Sequence, residues 1–220
     1  MYKLIAVLVI VIAGITTSYF IMTSEKEEKL PVLNPNELNP EVVGESVRNI
    51  GYGHTIGEFS LINQDSNTVT LNEVKGKIHV AEYFFTHCGS ICPIMNKQMQ
   101  RVHRKFKSND DVKILSFTVD PENDTVQRMK WYADKHNASG DNWHFLTGDK
   151  EELYQLARTS YFTLKPAEAR NLGDAGSDFI HTNNFVLVDR ELRIRGYYDG
   201  TNQADVTKMM RDMETLLKEK

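Results

Sequence analysis

The chain opens on nineteen uncharged residues, Leu4 to Met22, bounded by Lys3 and by the run Glu25-Lys26-Glu27-Glu28-Lys29. As a helix this stretch is roughly 28 Å long, about the thickness of a hydrocarbon core. The pattern predicts a transmembrane helix within residues 1–23, with a cleaved signal peptide as the competing reading. Aromatic Tyr19-Phe20 follow Thr16-Thr17-Ser18, which is a poor cleavage site, and no cysteine is present here to acylate. With Lys3 retained inside, the C-terminal bulk falls on the extracytoplasmic, periplasmic side. Residues 24–55 carry Pro31, Pro35 and Pro40 among Asn and Glu and read as an extended tether.

From residue 56 to 220 the pattern becomes that of a folded domain. Phe59-Ser-Leu-Ile and Val69-Thr-Leu flank the turn-like Gln64-Asp-Ser-Asn67 and predict a short β-hairpin. Ile78 to Phe85 is rich in β-branched and aromatic residues, as a buried strand requires. Ile94 to Phe106 is helical, with Met95, Met99, Val102 and Phe106 on one face. Val112 to Val119 is a second buried strand. A loop follows, Asp120-Pro-Glu-Asn-Asp-Thr, and Asp124 with Gln127 resembles a capping box for a helix ending near His136. Trp143 to Leu146 predicts a strand, Glu151 to Ser160 a helix, and Thr163 to Phe179 a loop. A hairpin about Asp189-Arg190 and a helix from Gln203 to Lys218 close the chain. This order demands βαβ crossovers and a mixed central sheet flanked by helices, an α/β fold.

Composition adds little to that fold and much to the function. Hydrophobic residues are 40% and charged residues 25%, which excludes global disorder, and the formal net charge of −4 argues against a general nucleic-acid binder. The chain has two cysteines, Cys88 and Cys92, too few for a disulfide scaffold or a four-thiolate zinc site. Their i, i+4 spacing at a predicted helix start puts both sulfurs on one face, where free N–H groups favour thiolate. Pro93 is tolerated in the first helical turn. Such a pair forms a disulfide, does redox chemistry or binds a soft ion. A Cys pair at the end of the first core strand, opening the first core helix, is the placement of the thioredoxin-like fold. That fold usually has a proline opposite the pair; here the place holds Ile180-His181-Thr182-Asn183. An imidazole aimed at a dithiol makes a Cys2His set, which suits copper in either oxidation state, or zinc. By position alone, a surface or capped histidine is the competing reading of His181.

The run Phe85-Thr-His-Cys-Gly-Ser-Ile-Cys-Pro93, then Asp120-Pro-Glu-Asn-Asp-Thr125, Trp143-His-Phe-Leu-Thr-Gly-Asp149, and His181-Thr182 before a hydrophobic strand, together resemble the Sco/SenC family. The likeness runs from about Gly57 to the C-terminus. It implies a membrane-tethered, thioredoxin-fold metallochaperone that holds copper, Cu(I) or Cu(II), through Cys88, Cys92 and His181. It further implies delivery to the binuclear copper centre of cytochrome c oxidase, or thiol reduction of that centre's cysteines. The implied partner is the copper-bearing subunit of cytochrome c oxidase, or another copper or thiol acceptor. Two positions depart from the family pattern. Gly89 stands where many members have proline, which loosens the loop. Ile180 stands where members usually have aspartate, with Asp178 the nearest carboxylate able to orient the imidazole.

Asp120 ends a core strand, where α/β sites gather. Resemblance to the D-P-x-x-D segment of the family implies a group near the copper or at a docking surface; the competing reading is a turn aspartate before Pro121. Asp124 reads as a helix cap. His87 is a second group near the thiols, or a loop residue. His54, His79, His103, His136 and His144 have no metal-site spacing, and Met95 and Met99 read as core. The competing function is an extracytoplasmic thiol–disulfide oxidoreductase acting through Cys88 and Cys92. His181 discriminates, because a copper site needs a third ligand and a dithiol enzyme gains little from imidazole.

Overall fold

The computed structural model describes residues 2, 10–18, 29–138, 142–166 and 179–219. Most of the expected transmembrane helix lies outside them; residues 10–18 are helical, and among the described residues no helix is long and apolar enough to cross a membrane.

The strands are β1 (Ser60–Asn63), β2 (Thr68–Thr70), β3 (Ile78–Phe84), β4 (Val112–Thr118), β5 (Trp143–Thr147), β6 (Leu164–Pro166), β7 (Phe179–His181), β8 (Asn184–Val188) and β9 (Ile194–Asp199). Helices are α1 (Cys92–Phe106), α2 (Val126–Lys135), α3 (Lys150–Leu156) and α4 (Gln203–Lys218). Seven strands form one sheet in the order β2-β1-β5-β4-β3-β8-β9, parallel where β3, β4 and β5 meet and antiparallel at β1 and β8. This is the mixed sheet the element order demanded, and the N-terminal hairpin extends it beyond β5.

Both faces of the sheet are covered, which is why β3 and β4 read as unbroken apolar runs. Along β3, Ile78, Val80 and Phe84 face one core, with Met95, Met99, Val102 and Phe106 of α1 and residues of α2 and α4. Ala81 and Tyr83 face the other, with Leu153 and Leu156 of α3 and with Tyr161 and Phe162. The 4-3-4 spacing on α1 therefore marks a core face, and Met95 and Met99 are fully buried in it.

Three expectations change. Residues 24–55 are not an extended tether over their described part. Pro35–Glu37 is a 3-10 turn, the Leu33 N–H donates to the Ile194 carbonyl at 2.9 Å, and Val42 and Val43 are buried in the core. Burying a valine contributes about 1.5–3 kcal/mol, so two suffice to hold a proline-rich segment that periodicity alone reads as linker. The helix expected to reach Ser160 stops at Leu156 and passes into a π-helical turn, Ala157–Tyr161, closed by Phe162 at φ 54°. The expected loop from Thr163 to Phe179 begins and ends in a two-stranded antiparallel ribbon, β6 with β7, outside the main sheet; residues 167–178 between them are outside the described residues.

Candidate metal centre

The first half of the site is built by a strand, a turn and a helix in succession. β3 ends at Phe84, and the Cys88 N–H closes a turn onto the Phe85 carbonyl at 3.3 Å. Helix α1 starts at Cys92 with Pro93 in its first turn, and no side chain caps it. Instead the Cys92 N–H donates to Cys88 Sγ at 3.4 Å, so an orphan donor of the helix start is spent on sulfur. Both cysteines are thiols; Cys88 is partly exposed and Cys92 buried. Burial pushes the Cys92 thiol well above the ordinary range, and its hydrogen bond with Cys88 and the Glu82 charge push the same way, against a backbone N–H···S contact from Phe85. The pair is thus asymmetric: one sulfur meets solvent, and the other keeps its proton until something takes it.

The Cys88 sulfur opens on a cleft of about 530 Å³ lined, among the described residues, by Phe85, His87, Cys88, Gly89, Ser90, Asp120 and Asn123. Asp120 and His87 therefore stand in the same cleft as the accessible thiol. Asp120 is also a turn residue: its carboxylate accepts from Asn123 Nδ2 at 3.0 Å, and its N–H donates to Thr118 Oγ1 at 2.9 Å. His87 is exposed, with Nδ1 3.3 Å from Thr86 Oγ1. A Cβ at Gly89 would meet nothing within 4 Å, so no close approach requires glycine there.

Asp124 is not the helix cap. Thr125 is, accepting from the Arg128 N–H at 3.3 Å. The Asp124 carboxylate is fully buried and accepts from Thr86 Oγ1 at 2.5 Å, from Thr118 Oγ1 at 2.6 Å and from the Thr86 N–H at 3.2 Å. Arg128 Nε donates to the same Thr86 hydroxyl at 2.9 Å. A buried carboxylate is tolerated because several donors satisfy it. It ties the turn that carries Cys88 to the end of β4 that carries Asp120.

Glu82 is the residue that sequence reasoning missed outright. It is fully buried on β3, on the face shared with Cys92, and burial raises its carboxyl to about 7, opposed by the Ser116 hydroxyl donating at 2.6 Å. Ser116 in turn accepts from Trp143 Nε1 at 2.9 Å. A charged residue inside Ile78-His-Val-Ala-Glu-Tyr-Phe84 was the available signal. The histidines without metal-site spacing are mostly inside the protein. His54, His79, His103 and His144 are buried, and His79 Nε2 lies 3.0 Å from the Tyr161 hydroxyl.

The backbone of His181 lies just before the start of β8. β3 pairs with β8 in the register His79↔Val188 to Ala81↔Val186, so β8 starts toward the thiol end of β3. Gly200 packs close to that start: a Cβ there would lie 2.6 Å from the Phe185 ring and 2.9 Å from the Asn183 carbonyl oxygen. His181, just upstream, ends β7 opposite Leu164 of β6. Asp178 is outside the described residues.

A mixed sheet covered on both faces, with a thiol pair at the start of its first core helix, defines a dithiol protein of thioredoxin-like fold. Residues 48–218 match the SCO1/SenC family, and the chain belongs to it. It is 34% identical over 164 residues to the SCO1 protein homolog of Bacillus subtilis (strain 168), covering 74% of this chain and 82% of that one. Among solved structures it resembles BsSco, described as a member of the Sco family of cytochrome c oxidase assembly proteins with a disulfide switch (TM-score 0.64, 31% identity, 76% of this chain and 95% of that one). It also resembles copper-bound ScoI of Bradyrhizobium japonicum (TM-score 0.58, 26% identity, 74% and 99%).

Proposed function

We propose that the protein is a copper metallochaperone that binds one copper ion through Cys88, Cys92 and His181 and supplies it to the binuclear copper centre of cytochrome c oxidase. The observation that carries the reading is the asymmetric thiol pair: a partly exposed Cys88 whose sulfur accepts from the first N–H of the helix, over a buried Cys92, at the mouth of an open cleft. Two thiolates and an imidazole are a donor set that copper accepts in both oxidation states. Metal entry displaces the thiol protons, so loading strengthens as pH rises. The cleft gives an incoming acceptor ligand access to the Cys88 side of the ion, while Cys92 stays covered. Family membership and the copper-bound Bradyrhizobium relative support the metal, and the cytochrome c oxidase assembly role ascribed to BsSco supports the destination. The apolar stretch Leu4 to Met22 anchors the chain in a membrane, with the domain on the extracytoplasmic side.

A second reading, a thiol–disulfide oxidoreductase acting through Cys88 and Cys92, is favoured by the same asymmetry of one accessible and one buried sulfur. The disulfide switch of BsSco also fits it. Copper analysis of the reduced protein separates the two. Chaperoning requires one ion per chain, loss of Cu(II) and of its sulfur-to-copper absorption in His181→Ala, and partial survival of two-thiolate Cu(I). Unchanged binding of both ions by His181→Ala, together with a disulfide-exchange turnover that Cys88→Ser abolishes, would replace the chaperone reading with the enzyme.

A further inference from the structure

The segment between the N-terminal apolar stretch and the domain is wired to the ribbon that ends in His181. Arg158, in the π-helical turn, is 8% exposed and reaches in two directions. Its Nη1 donates to the main-chain carbonyl of Glu41 and, at 2.9 Å, to that of Leu164; Nη2 donates to the Val43 carbonyl at 3.4 Å. The Gly44 N–H returns a bond to the Arg158 carbonyl at 2.7 Å, where a Cβ on Gly44 would come within 3.2 Å of that oxygen. Beside it, Lys165 Nζ pairs with Glu41 Oε2 at 2.7 Å. Leu164 and Lys165 are two of the three residues of β6, and they stand opposite His181 and Ile180 of β7. The Thr182 N–H adds a bond to the Thr163 carbonyl at 3.0 Å.

We propose that Arg158 is a positioning residue which, with the Lys165–Glu41 pair, holds the β6–β7 ribbon on the segment of residues 41–44 and so sets where His181 stands relative to the thiols. The inference rests on His181 being a copper ligand. A two-stranded ribbon is marginally stable alone and needs an anchor. The planar guanidinium suits this task because one fork can satisfy carbonyls from two chain segments at once, which a lysine ammonium does less well. The thiol turn has its own clamp in Asp124, so the histidine and the thiols are held by different networks.

The test uses the full chain. Arg158→Met keeps the apolar stem and removes the donors. Cu(II) affinity should fall about tenfold, in the range found for groups that support a ligand rather than bind the ion, and the sulfur-to-copper absorption should weaken. Cu(I) binding by the thiols and the dithiol reduction potential should be unchanged. Equal losses of Cu(II) and Cu(I), or no loss of either, would overturn the proposal. If Arg158→Met folds poorly, the exposed pair carries the test. Glu41→Lys should weaken Cu(II) a few-fold, and adding Lys165→Glu should restore it; absence of a loss, or of recovery, overturns the proposal. His181→Ala is measured alongside. An intact Cu(II) site in that variant overturns the ligand reading itself. A destroyed site with Arg158→Met and Glu41→Lys both silent overturns the positioning role alone.

Discussion

The two halves of the candidate site are assembled in opposite ways. The thiol half is local: one strand, one turn and one helix bring Cys88 and Cys92 together within five residues. Its clamp, Asp124 on Thr86 and Thr118, comes from the next loop. The histidine half sits on a ribbon of three residue pairs outside the main sheet, attached through Thr163, Arg158 and Lys165. The lesson is mechanical. The thiols are positioned by residues close to them in the chain, whereas the ribbon that carries His181 is tied through Arg158 and Lys165 to residues 41 and 43, more than 100 positions upstream, and those ties do not touch the thiols.

The largest break in that comparison comes from the thiols themselves. Cys88→Ser should lower copper affinity by on the order of a thousandfold or more, since structural zinc sites worth some 10–16 kcal/mol over four ligands set the scale at several kcal/mol per thiolate ligand. It should leave the fold intact, checked by competition with a copper chelator and by circular dichroism. His181→Ala should spare Cu(I) far more than Cys88→Ser does; equal losses would mean the halves are not separable.

Next is the buried carboxyl beside the thiol half. Glu82 is raised in the fold from 4.5 to about 7, so the fold favours its neutral form. That contribution is fully present below about pH 4.5 and is lost as pH rises through 7. In metal-free, reduced protein, Glu82→Gln should match the parent near pH 4.5 and be the more stable by about 3 kcal/mol at pH 8. His79, on the opposite face of β3, is lowered from 6.5 to about 3 and works with the other sign: its contribution is present above pH 6.5 and fades as pH falls toward 3. Urea unfolding against pH reads both limbs, and only the alkaline one should move in Glu82→Gln. An unchanged alkaline limb would refute the assignment.

Asp124→Asn should cost about 2 kcal/mol of stability, because it weakens the acceptor of three buried donors, and should shift the dithiol reduction potential, which His181→Ala should not. The smallest effect is at the α2 cap. Thr125→Ala should cost about 1 kcal/mol and change neither copper ion's binding, which would confirm that capping and clamping belong to different residues.

How much of this was legible depends on range. Met95, Met99, Val102 and Phe106 announced the buried face of α1, and the apolar runs announced β3 and β4, because periodicity is imposed by the element's own geometry. Cys88, Cys92 and Pro93 announced a helix-start dithiol for the same local reason. Asp124 was misread because a carboxylate before a helix has the same local pattern whether it caps the helix or turns inward. Only the position of Thr86, 38 residues upstream, decides which. The proline-rich segment was misread as tether because two valines carry no periodicity; their burial depends on what the sheet presents to them.

Sequence alone therefore determined the α/β class, the thiol pair and the family likeness, all of which follow from spacing along a few tens of residues. The tertiary structure decided the rest. It buried Cys92 and Glu82, turned Asp124 into a clamp, packed residues 41–44 on Arg158, and laid His181 opposite Leu164. The physical reason is that burial, strand register and hydrogen-bond partnership belong to pairs of segments. A residue's own neighbours in the chain do not specify which distant surface will desolvate it or accept its bonds.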